Sequence, residues 1–441
     1  IMASETLPPV PRPEKYQYLS GFGNTFSSES IEGTLPNQNN PQKCPKGLYA
    51  EQLSGTAFTV PRSKNQRTWL YRMQPGVTHK AFKPAEGPFK GNLVVPTITD
   101  PNQMRWDPMT PAVEGDHTFI EGMVTFAGAG GPATRSGIRI YHYTANKSMV
   151  NESFYNSDGD FLIVPQDGDL DIQTELGFLE LRPGEIGVIP RGMNFAVGVE
   201  KLSRGYICEV YGHFALPDLG PIGANGLATP RDFLTPVACP SKATQEKTSF
   251  KMYNKFLEEM FVAEMDHSVF NVVAWWGNYV PFKYDLDRFN TMNTVSFDHP
   301  DPSIFTVITC PTNEPGVAAC DLAIFPKRWM VAEGTFRPPY YHRNCMAEFM
   351  GLIRGAYDAK VGFRPGGSTL HNFMTPHGPD AKTFEKASTE ELKPVRYPDT
   401  MAFMFETSFI LSLTPRAVKG GLREEGYQDC WQGLENNFAK Q

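Results

Sequence analysis

Between Asp158 and Gly192 the apolar positions fall in short runs and two-residue alternations. Asp158-Gly-Asp-Phe-Leu-Ile-Val-Pro165 is an apolar run entered through a turn. In the next segment Leu170, Ile172, Thr174 and Leu176 share one face, as a strand with one buried side requires. Gly177 turns the chain into residues 178–192, where Pro183-Gly184-Glu185 separates two further apolar stretches. The same punctuation runs through the chain, which carries 39 glycines and 38 prolines. A helical period is visible only over about 381–393 and 429–440. Two longer polar segments, about 80–116 and about 239–248, read as surface loops or insertions. The pattern predicts a mainly β protein, a sandwich or barrel.

The order strand, Pro-Gly-Glu turn, strand, Pro-x-Gly resembles half of a cupin, a small β-barrel. A metal-binding cupin places a histidine soon after the last glycine, whereas Met193 and Asn194 stand there. The first half therefore reads as structural. In the second half Glu348 and Gly355 keep a Glu-x6-Gly step, and Pro365-Gly-Gly-Ser-Thr-Leu-His371 loosely resembles the second cupin motif. Tyr340 stands where many cupins carry another histidine. The expected architecture is a double cupin-like chain. It has an empty N-terminal part, residues 1–287, and a metal-loaded catalytic part, residues 288–441.

Composition narrows the function. With 441 residues, 40% hydrophobic and 20% charged, the chain can bury a large core. A net charge of -7 gives no basic footprint for nucleic acid. No apolar stretch has the length to span a bilayer. The first residues show no basic segment leading into an apolar one, so a cytoplasmic location is expected. The seven cysteines are scattered and form no CxxC pair, which suits reduced thiols and argues against a cysteine zinc site. The glycine clusters match neither a phosphate loop nor a dinucleotide fingerprint, and no Gly-x-Ser-x-Gly nucleophile motif occurs.

The chemistry concentrates in one stretch. Four of nine histidines, His299, His342, His371 and His377, fall within 79 residues, with Glu348 among them. Two imidazoles and one carboxylate on one face of an ion leave the other positions open, the ligand set of non-haem Fe(II) oxygenases. His342 and Glu348 are six apart, and a straight strand would hold them roughly 20 Å from each other. Metal bonds are about 2 Å. The chain must therefore bend, and Arg343-Asn344-Cys345 can supply the bend. A hairpin with His342 on one strand and Glu348 on the next, ending near Gly355, is the expectation. Spacing leaves open whether His371 or His377 completes the set, although Pro376 and Gly378-Pro379 fix the backbone around His377.

Longer motifs carry a specific resemblance. Tyr18-Leu-Ser-Gly-Phe-Gly-Asn24, Leu48-Tyr-Ala-Glu-Gln-Leu-Ser-Gly-Thr-Ala-Phe58 and Leu216-Pro-Asp-Leu-Gly-Pro-Ile-Gly-Ala-Asn-Gly226 resemble the homogentisate 1,2-dioxygenase family. Phe297-Asp-His-Pro-Asp-Pro-Ser-Ile-Phe305, Phe336-Arg-Pro-Pro-Tyr-Tyr-His-Arg-Asn344 and Thr375-Pro-His-Gly-Pro-Asp380 do so too, in the expected order. One departure is Trp276 in Trp275-Trp276-Gly-Asn, where the family pattern has histidine. The resemblance implies an Fe(II) enzyme of tyrosine and phenylalanine breakdown that converts homogentisate and O2 to 4-maleylacetoacetate. It implies His342, Glu348 and His377 as iron ligands and His299 as the acid/base beside the substrate. Tyr357, His371, His377 and Tyr340 would line or bind the substrate. It also implies a homohexamer, a dimer of trimers.

Overall fold

The apolar runs between 158 and 192 fold into the strands Asp160–Asp167, Leu170–Thr174, Gly177–Leu181 and Glu185–Ile189. This computed structural model describes residues 12–438 apart from 21–24, 90–97, 112–113, 218–225, 242–246, 293–296, 300, 331–332 and 358. Four sheets of nine, seven, four and six strands are formed by the described residues. The mainly β, cupin-like expectation holds.

The nine-stranded sheet is the middle layer. Phe161, Ile163 and Ile207 join one apolar cluster, with Leu170, Ile172 and Phe195 of the seven-stranded sheet. Leu162, Val164 and Cys208 point the other way, into a cluster with Ile324, Phe349 and Phe405 of the six-stranded sheet. A sheet covered on both faces needs apolar residues at consecutive positions. That is why Phe-Leu-Ile-Val appears without alternation. Leu170, Ile172, Thr174 and Leu176 are all buried, as their shared face requires.

Each half lends an edge strand to the other's sheet. Met104–Trp106 pairs with Ser368–His371 at the edge of the six-stranded sheet. Ser412–Leu413 pairs with Met123–Gly131 at the edge of the nine-stranded one. The reading of 80–116 as a surface loop is therefore corrected: it contains Met104–Trp106, with Met104 and Trp106 each 1% exposed. A three-residue alternation is too short to stand out from a polar background. Of 239–248, residues 242–246 lie outside the described residues.

The helix expected over 381–393 forms as Ala381–Thr389, with Asp380 Oδ1 accepting from the Thr383 amide at 2.7 Å. It stops early, at Thr389, with Glu390 already in extended backbone. The helix expected over 429–440 does not form across its described residues. A 3-10 turn, Tyr427–Trp431, occupies its start after Gly426 at φ 73°, and Gly433 then breaks the pattern.

Candidate metal centre

The six-stranded sheet runs Thr306–Pro311, Ala318–Met330, Val395–Thr407, Ala347–Arg354, Ser368–His371, Met104–Trp106. Glu348 is the second residue of Ala347–Arg354, directly opposite Glu406 on one side and His371 on the other. His342 reaches it without a hairpin between their two segments, which corrects that expectation. Instead His342 forms a two-way backbone bridge with His377, both N–H···O distances being 2.9 Å. Asn344 makes the bend: its Oδ1 accepts from the Met346 amide at 2.6 Å, and its Nδ2 donates to Glu348 Oε1 at 2.8 Å.

The imidazole tautomers follow from their partners. His342 Nδ1 lies 2.8 Å from the Tyr340 carbonyl, and His377 Nδ1 lies 2.8 Å from the Thr375 carbonyl. A carbonyl only accepts, so both Nδ1 atoms carry the proton. In the neutral ring each Nε2 then faces the Glu348 carboxylate with a lone pair, at 3.4 Å from His342 and 3.0 Å from His377. Lone pairs facing a carboxylate repel unless a cation or proton stands between them. One ligand atom from each of His342, Glu348 and His377 lies within 4.8 Å of the others. The donor set therefore fits a metal ion. Among the described residues this is the one such group, and it lies in the C-terminal half.

Where no ion stands between ring and carboxylate, a ring proton takes that place: burial opposes the charge of Glu348, but its interactions with His342, His371 and His377 outweigh burial and hold the carboxyl well below its usual range. The hydrogen bond to Glu348 raises His342. His371 is held well below its ordinary value by burial and then by Lys360. Its ring stacks on His377 at 4.2 Å, and its Nδ1 stands 3.5 Å from Glu348 Oε2.

A cavity of about 630 Å³, mouth included, opens beside this cluster; its walls include His299, Phe305, Phe325, Tyr340, Met350 and Tyr357. The ring of His299 meets Tyr340 edge-on at 5.9 Å, and the Tyr340 hydroxyl donates to Asp301 Oδ1. His299 is thus at the cavity but outside the ligand group. Tyr357 is held between Phe325 and Phe363 at 5.8 and 6.2 Å.

Two family models cover nearly all of the chain. Residues 17–286 match the homogentisate 1,2-dioxygenase N-terminal family, and residues 287–438 match the C-terminal one. The chain belongs to the homogentisate 1,2-dioxygenase family. A homogentisate 1,2-dioxygenase of Dictyostelium discoideum is 59% identical over 426 residues, covering 96% of this chain and 98% of the relative. The enzyme of that name from Drosophila melanogaster is 56% identical over 438 residues, covering 96% and 98%. The one from Homo sapiens is 55% identical over 435 residues, covering 96% and 97%.

Within this family frame the departure at Trp276 is remote from the cavity lining. It lies on Val272–Gly277 in the four-stranded sheet, and its Nε1 donates to the Tyr71 hydroxyl at 3.3 Å. Three residues of the site were not singled out for it from sequence. Asn344 was read only as a turn former. Glu406 is brought beside Glu348 by strand register, and burial, with Glu348 adjacent, pushes it up to about 7. Lys360, buried beneath His371, has no local pattern that marks it.

Proposed function

We propose that this chain opens the aromatic ring of homogentisate with O2, yielding 4-maleylacetoacetate, at an Fe(II) held by His342, Glu348 and His377. The observation that carries the reading is the convergence of two imidazole Nε2 atoms on one carboxylate beside a cavity. Family membership selects the reaction among those a two-histidine, one-carboxylate centre can support. When bound, Fe(II) supplies the electron transfer that lets O2 react with a closed-shell ring. The protein supplies position and electrostatics.

In this reading the apolar walls, Phe305, Phe325, Met350 and Met404, hold the ring and exclude water. Tyr357 hydrogen-bonds the substrate through its hydroxyl, while Tyr340 and His371 line the pocket. His299 accepts the proton of the substrate's ring hydroxyl on its imidazole nitrogen, a role supported by its place on the cavity wall outside the ligand group. The family resemblance also supports a homohexamer built as a dimer of trimers. The seven free thiols support a cytoplasmic location. Among the described residues no helix is long and apolar enough to cross a membrane.

The direct test of substrate choice compares homogentisate with 2,5-dihydroxybenzoate, which lacks the side-chain methylene. The expected result is consumption of one O2 per homogentisate, with little turnover of the shorter acid. Efficient cleavage of the shorter acid with none of homogentisate would overturn the assignment. Sedimentation at the mass of six chains is the expected assembly result.

A further inference from the structure

Lys360 is buried, yet it makes no salt bridge to a carboxylate among the described residues. Its Nζ lies 2.7 Å from His371 Nε2. The rings of Tyr427 and Trp431 cover the same ammonium at 5.8 and 5.3 Å. Burial lowers the Lys360 ammonium to about 7 although the Glu348 charge opposes this, and ring faces compensate only partly. The placement therefore calls for a reason beyond packing.

Donor chemistry gives one. An ammonium has three N–H donors and no acceptor. With Lys360 as the ammonium, His371 Nε2 accepts from it at 2.7 Å, because an Nε2–H facing an ammonium would find no lone pair between them. The ring proton then sits on Nδ1. That atom stands 3.5 Å from Glu348 Oε2, its nearest acceptor there, and makes no hydrogen bond among the described residues. The same two contacts decide what His371 can do. Its Nε2 lone pair is engaged by Lys360, and its Nδ1 carries hydrogen, so neither nitrogen is free to bind a metal.

We propose that Lys360 is a positioning residue: it locks His371 in the Nδ1–H tautomer, so that His371 donates to Oε2 of Glu348 and orients that carboxylate for the metal. The inference rests on the reading of Glu348 as a ligand. Asn344, donating to Oε1 at 2.8 Å, is the counterpart on the other oxygen. Outer hydrogen-bond partners of this kind commonly carry 10- to 100-fold in metal affinity.

The test uses ¹⁵N-histidine-labelled, metal-free full chain, with the His371 signals assigned by their loss in His371→Gln. The expected wild-type spectrum shows His371 in the Nδ1–H form. Lys360→Met is expected to shift that population towards Nε2–H and to weaken Zn(II) binding about 10- to 100-fold in a chelator competition. An Nε2–H tautomer in the wild-type protein, which means a neutral amine accepting from His371, would overturn the proposal. An unchanged tautomer in Lys360→Met would also do so. If that variant does not fold, the wild-type tautomer still decides. Retention of Zn(II) by both Glu348→Ala and His377→Ala would instead strike the ligand reading. The failures of the two ideas are therefore separate.

Discussion

At the scale of single residues, the site is set by which nitrogen of each imidazole keeps its proton. The Tyr340 and Thr375 carbonyls direct the Nε2 atoms of His342 and His377 at Glu348, while His371 offers Nδ1. Glu348→Ala and His377→Ala are therefore expected to lose iron under mild dialysis, and His371→Ala to retain it with an affinity lowered about 10- to 100-fold. Metal analysis of the folded variants checks this, and the reverse result would exchange the roles of His371 and His377. His299 lies on the cavity wall outside the ligand group. His299→Asn is expected to keep iron and bind homogentisate, but to turn over at least roughly a hundredfold more slowly. Single-turnover kinetics with pre-bound substrate isolate that step. Wild-type turnover, or loss of iron, would contradict its acid/base role. The two histidines and the glutamate were legible because few polar residues interrupt this Pro- and aromatic-rich stretch. Spacing could not choose between His371 and His377, because the choice depends on a backbone bridge from His377 to His342. Lys360 was illegible because its partner is set by how the chain returns after Gly355.

At the scale of elements, the Ala347–Arg354 strand holds Glu348 in place through pairing on both edges. It ends at Gly355, whose φ is +74° and where an added Cβ would lie 1.9 Å from the Asp399 carbonyl oxygen. Gly355→Ala is expected to cost about 2–4 kcal/mol, combining left-handed strain with overpacking. A denaturant titration reads that loss; an unchanged midpoint would contradict it. Cys208, Cys310 and Cys320 lie in the core between the nine- and six-stranded sheets. Burial pushes the Cys310 and Cys320 thiols up. Thiolate is the reactive form, so native protein treated with iodoacetamide near pH 8 is expected to be labelled at exposed Cys239 and Cys345 but not at those three. Peptide mass spectrometry reads the pattern. Strands 158–192 were readable because their apolar positions repeat over many residues. Met104–Trp106 was not, since its place depends on pairing with residues more than 250 positions away.

At the scale of the whole molecule, one cluster of buried side chains joins both halves, and each half completes an edge of the other's sheet. Trp106 contributes a fully buried ring to the six-stranded sheet that carries Glu348, and its Nε1 donates to the Ala417 carbonyl at 2.7 Å. Trp106→Ala is expected to destabilise by about 3–5 kcal/mol and to lower the stability of both halves in one transition. Two separate calorimetric transitions, with only the C-terminal one shifted, would contradict this coupling. The double β architecture was legible from turn rhythm and motif order. The exchange of edge strands was not, because it is fixed only when the layers meet. The central claim, iron-dependent ring opening at His342, Glu348 and His377, is tested most directly by O2 uptake with homogentisate, followed alongside product absorbance. Metal-stripped protein reloaded with Fe(II) at about one ion per chain is expected to be active, because redox-inert zinc cannot supply the electrons. Full turnover by the zinc-loaded, iron-free protein would contradict the account.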